Sequence, residues 1–148
     1  ITVPVVNTRE ELEAVIDCCY FSPIGHRSYT SKRVMRFGLV DDLKGMMDQT
    51  NEDLLIMPQI EDIKAYENLE DILKVDSIKV FAGGPNDLAQ SMGRPGLPEH
   101  PECIRVTDEG TAKIHAAGKF RNEDVMESVD ATFAVREAIF EMKRKFPV

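Results

Sequence analysis

The chain has 148 residues, with 18 basic and 26 acidic side chains, a formal net charge of -8, and 43% hydrophobic against 30% charged residues. That is the size and make-up of one globular domain spanning 1–148, and its Gly and Pro content excludes low-complexity and collagen-like chains. No apolar run reaches the roughly 18–20 residues of a membrane span, and scattered cations on an acidic chain leave no nucleic-acid footprint, so small-molecule chemistry or protein contact remains.

Ile1 to Val6 is a β-branched run predicting a strand, and without an initiator Met or a basic leader it reads as an interior start. Thr8 followed by Glu11 is a capping box, and Leu12, Val15, Ile16 and Cys19 fall on one helical face. Cys18, Cys19 and Cys103 are odd in number and include a vicinal pair, so structural disulfides are not expected and a reducing, cytoplasmic setting is. Ser22 to Ser28 carries loop punctuation, and Val40, Leu43, Met46 and Met47 predict a short amphipathic helix before Asn51.

The pattern then repeats. Asp53 to Ile60 predicts an apolar strand, and Glu61 to Lys74 a helix burying Ile63, Tyr66, Leu69 and Leu73. Ser77 to Ala82 predicts a further strand, running into Gly83-Gly84-Pro85-Asn86-Asp87 and a short helix. A helix is predicted around Thr107 to Ala117, stopped by Gly118, then a strand near Asp130 to Ala134, and a final helix with Val135, Ala138, Ile139, Met142 and Phe146 on one face. Apolar strands alternating with amphipathic helices define the α/β class with a parallel sheet.

In such sheets ligands gather beyond the carboxyl ends of the strands. Two junctions offer polar residues there, Gln59-Ile60-Glu61 and Pro85-Asn86-Asp87, which places the Glu61 and Asp87 carboxylates at one rim. Two carboxylates suit a hard divalent ion whose other positions go to water and substrate oxygens. Spacing alone also allows a plainer reading, with Glu61 complementing a helix dipole and Asp87 capping a turn.

Val3-Pro4-Val5-Val6-Asn7-Thr8, Ser22 to Ser28, Pro58-Gln59-Ile60-Glu61 and Gly84-Pro85-Asn86-Asp87-Leu88 occur in that order. Over about residues 1 to 105 this string resembles the HpcH/HpaI aldolase and citrate lyase family. The resemblance implies a (β/α)8 barrel, here only its C-terminal half, and a metal-dependent lyase that makes or breaks a carbon–carbon bond between a pyruvate enolate and an aldehyde. It implies Glu61 and Asp87 as ligands of Mg²⁺, Mn²⁺ or Co²⁺. It also implies Gln59 and the Asn86 backbone as contacts of a small-molecule 2-oxo acid, Gly84 and Pro85 as the turn beside it, and Arg27 as a barrel-rim residue. A homo-oligomer in full-length form, with no nucleic acid and no membrane, is expected.

A full barrel takes about 250 residues. The family's base and carboxylate-clamping Arg match nothing here and are expected in a preceding segment, so this chain alone is expected to be inactive; His26, His100 and His115 are assigned surface or packing roles. The family's seventh strand is expected after Gly118-Lys119 but has no visible signal. The contrasting reading is a non-catalytic fragment or interaction module that keeps the metal and 2-oxo acid site.

Overall fold

Alternating strands and helices are realised in a computed structural model, which describes residues 1–30 and 32–125 together with Arg144. Four strands, β1 (Thr2–Val3), β2 (Met57–Ile60), β3 (Val80–Gly83) and β4 (Phe120–Arg121), lie side by side in chain order, each pair parallel. Helices α1 (Arg9–Cys19), α2 (Leu43–Asp53), α3 (Ile63–Glu67), α4 (Leu69–Ile72), α5 (Pro85–Ser91) and α6 (Pro101–Ala116) fill the crossovers, and α7 (Asn122–Val125) follows β4. A sheet that advances one strand per crossover without reversal is the progression of a (β/α)8 barrel, of which this chain forms a part.

Strand alternation sorts the side chains into two faces. Ile60 and Phe81, both fully buried, join Leu12, Ile16, Leu69, Ile72 and Ile114 in the core between sheet and helices. Gln59 and Glu61 take the opposite face, and the register Gln59↔Ala82 and Ile60↔Gly83 brings Glu61 beside Gly84 at the neighbouring strand end. Two small residues set helix distances. A Cβ on Gly110 of α6 would meet the Tyr66 ring of α3 at 2.5 Å, and a Cβ on Gly25 would meet three backbone oxygens of the α1 end at 2.7–2.8 Å.

The α1 prediction holds in detail: Thr8 accepts from the Glu11 N–H, and Glu11 accepts from the Thr8 N–H. Elsewhere the tertiary structure redraws the boundaries. The first strand is two residues, because Val5, at a φ of 53°, gives its N–H to the Glu61 carboxylate and the Val6 N–H donates to the Gln59 carbonyl instead. The second strand starts at Met57, since Asp53 belongs to α2, which begins at the Asp42 cap and excludes Val40. Within α2, Asn51 is buried and clamps Phe21 through both its amide groups (2.8 and 3.0 Å).

The helix predicted over Glu61 to Lys74 is two short helices broken at Asn68, whose side chain leaves the helical pattern to donate to the Asn7 carbonyl. Ala65, Leu69 and Ile72 are buried there, while Ile63 and Tyr66 are only partly so. The third strand is Val80–Gly83, later than predicted. Helix α6 begins at Pro101, six residues before the predicted Thr107, because Pro101 suits the first helical position and the His100 ring accepts from the Glu102 N–H. The strand after Gly118-Lys119 exists as β4, held because buried Lys119 donates to the Val75 and Ile78 carbonyls, each at 2.6 Å. The strand predicted near Asp130 to Ala134 and the final helix with Val135, Ala138, Ile139, Met142 and Phe146 lie outside the described residues.

Candidate functional site

Glu61 follows the last residue of β2 and is only 5% exposed, an unusual place for a carboxylate unless its oxygens are engaged. They are: Oε1 accepts the Val5 N–H at 2.9 Å and Oε2 accepts Gln59 Nε2 at 3.1 Å. Each oxygen keeps a further lone pair. The left-handed backbone of Val5, rare for a β-branched residue, is what delivers its N–H to this carboxylate. No sequence signal marks that contact, because the donor is main chain and lies 56 positions away.

Gly84 supplies the space. A Cβ on it would stand 2.2 Å from Glu61 Oε2 and 2.6 Å from Glu61 Cβ, so the β3–α5 turn lies directly against the acid. Pro85 occupies the first turn of α5, where a missing N–H costs nothing, and the first intrahelical bond runs from Leu88 N–H to the Gly84 carbonyl. The Asn86 N–H therefore stands outside the helix's own bonding, and exposed Asp87 follows one position on, in the first turn. Ser91 ties the two junctions together, accepting the Ile63 N–H at 3.0 Å while donating to the Leu88 carbonyl at 2.8 Å. Gln59, Glu61, Gly84, Pro85, Asn86 and Asp87 thus share one rim of the sheet.

Arg27 is not placed against these residues. Its guanidinium lies 4.7 Å from the centre of the Phe21 ring and donates to the Cys19 carbonyl at 3.5 Å, bracing the loop after α1. The three histidines are engaged elsewhere. His100 caps α6, His115 Nε2 lies 2.7 Å from Asp124, and His26 Nδ1 lies 2.5 Å from Asp17. Among the described residues no three or more His, Cys, Asp or Glu cluster as a metal site. A pair of carboxylates at one rim is nonetheless the donor set that a hydrated hard ion uses.

The Asp17 hydrogen bond, and secondarily its charge, raise the His26 pKa. A raised folded value means the pair's support for the fold is fully present below the ordinary His range and fades as pH climbs through the raised value. An NMR titration should therefore give His26 a midpoint above that of an unfolded-peptide His, and Asp17→Asn should return it there. An unchanged midpoint in Asp17→Asn would show that the contact does not form in solution.

The fold defines a partial α/β barrel with two carboxylates at its carboxyl-end rim, and comparison with known proteins gives the family. The HpcH/HpaI aldolase/citrate lyase family model matches residues 1–144, and the chain belongs to that family. It is 37% identical over 119 residues to a 2-keto-3-deoxy-L-rhamnonate aldolase of Klebsiella pneumoniae, covering 79% of this chain and 43% of the relative. The Salmonella paratyphi B protein of the same name is 36% identical over the same shares. The chain therefore spans less than half the length of these relatives. Among solved structures it superposes on an HpcH/HpaI aldolase from Desulfitobacterium hafniense with a TM-score of 0.72 and 26% identity, over 81% of this chain and 46% of that one. Macrophomate synthase gives a TM-score of 0.70 at 25% identity, over 82% and 44% of the two chains. Among the described residues no helix is long and apolar enough to cross a membrane.

Proposed function

We propose that the full-length protein carrying this chain is a metal-dependent carbon–carbon lyase of the pyruvate-aldolase type, acting on a 2-keto-3-deoxy sugar acid or a related 2-oxo acid and releasing or capturing an aldehyde. The observation that carries the reading is the buried Glu61 carboxylate, held by Val5 and Gln59 against Gly84 at the same rim as Asp87. Kinship with aldolases over most of this chain supports it.

Glu61 and Asp87 would hold one Mg²⁺, Mn²⁺ or Co²⁺. When bound, that ion supplies Lewis acidity toward the keto oxygen as negative charge develops during bond cleavage. The chain's own residues bind and orient. Gln59, on the Glu61 face of β2, presents its amide to the oxo acid, and the Asn86 N–H, unused by α5, meets its carboxylate. Gly84 and Pro85 let the backbone approach. Arg27 holds the loop after α1, away from these residues. The base and the aldehyde-side contacts would come from the rest of the protein, so 1–148 forms a single incomplete barrel domain, inactive alone, within a cytoplasmic homo-oligomer.

The test is a paired titration of metal and oxalate against the Gln59→Ala variant of the full-length protein. A hydrogen bond to a charged group is worth about 1.5–3 kcal/mol, so oxalate affinity should fall about 10–100-fold. Metal affinity should fall less than in a Glu61 variant, because the amide orients the ligand without being one. Unchanged oxalate affinity, or metal loss as complete as with Glu61, would refute this division of roles.

A further inference from the structure

A second polar feature sits on the opposite face of the same strand end. Arg121 pairs in register with Phe81, so its side chain enters the layer between sheet and helices, where the side chain is 8% exposed. Its guanidinium fills the place a side chain on Gly83 would take: a Cβ there would stand 2.2 Å from Nη2. Its Nε faces Glu123 at 3.4 Å, a carboxylate 63% exposed. Its Nη1 is buried and has no hydrogen-bond partner among the described residues. Next to it is a cavity of about 150 Å³, lined also by Tyr66, Thr107, Gly84 and Pro85.

A buried guanidinium donor without an acceptor is costly, and native structures rarely leave one. The backbone leaves Arg121 no retreat, because its N–H donates to Asp124 Oδ2 at 2.7 Å, and that carboxylate is anchored in turn by His115. We propose that this cavity binds a small monoanion, a carboxylate, on the Arg121 guanidinium. The planar fork of an Arg matches the two oxygens of a carboxylate. The cavity has room for a small carboxylate. With Glu123 already offsetting part of the positive charge, a single negative charge is accommodated better than a phosphate dianion. The cavity shares the Gly84-Pro85 turn with the Glu61 rim, but the Arg121 guanidinium enters it from the other face of β3, so a Glu61 variant separates the two sites.

The experiment is a titration of the full chain with acetate, read from the backbone amide resonances of Gly83, Gly84 and Thr107, with inorganic phosphate as a second arm. Saturable shifts with acetate are expected in the wild type and in Glu61→Gln. Arg121→Gln should abolish them, and Glu123→Gln, which removes the competing carboxylate, should tighten acetate binding several-fold. The Glu123 arm keeps the test decisive if Arg121→Gln fails to fold. Absence of saturation at millimolar acetate, binding that persists in Arg121→Gln, weaker binding in Glu123→Gln, or a stronger response to phosphate than to acetate would each overturn the proposal.

Discussion

Glu61→Gln in the full-length protein should abolish divalent-ion binding and lower lyase activity by more than about 100-fold, beyond the usual 10–100-fold cost of disturbing a residue behind a metal ligand. The amide keeps the shape and can still take up the Val5 N–H, so the fold should survive and the loss should be specific. Gly84→Ala provides an independent route to the same end. Its methyl group would stand 2.6 Å from Glu61 Cβ as well as 2.2 Å from Oε2, so no rotamer of Glu61 relieves the clash and the turn itself must shift. A shift of the turn carries Asn86 and Asp87 with it. Calorimetric titration with Mn²⁺ and a coupled aldol-cleavage assay measure both effects. Near-normal ion affinity in Glu61→Gln would end the assignment of the rim as a metal centre.

The second large effect is expected far from that rim. Gly25→Ala places a methyl against the backbone oxygens of Asp17, Tyr20 and Ile16, at 2.7, 2.7 and 2.8 Å. None of these can rotate away, since all three belong to the last turn of α1 and its cap. Relief requires the loop to lift from the helix end, breaking the bonds from His26 N–H to the Asp17 carbonyl (2.6 Å) and from Arg27 N–H to the Tyr20 carbonyl (2.9 Å). The cost should reach the upper end of the overpacking range, about 3 kcal/mol. Urea unfolding of wild type and variant measures it, and a loss below about 1 kcal/mol would mean that the loop does not pack on α1 as described.

Local chemistry made much of the fold readable in the residues themselves. The Thr8–Glu11 cap, the Leu12 and Ile16 stripe and the Gly118 stop each act within a turn of helix and appear where the spacing predicts them, whereas α5 starts at Pro85, inside the turn predicted to precede it. Strand alternation likewise sets Gln59 and Glu61 on one face without reference to any tertiary contact.

What the tertiary structure alone decided depends on partners distant in the chain. Asn68 breaks a helix because the Asn7 carbonyl is there to receive it, and β4 forms because Lys119 finds two carbonyls of the loop before β3. Val5 adopts its left-handed turn where it can donate to Glu61, and Glu61 lies against a glycine whose importance no local pattern announces. Arg121 follows an exposed Phe at the start of a two-residue strand, and only the register with Phe81 turns it inward. Periodicity describes which face of its own element a residue takes. It carries no information on which neighbour meets that face, and in this protein buried charge and close backbone approach are set by those neighbours.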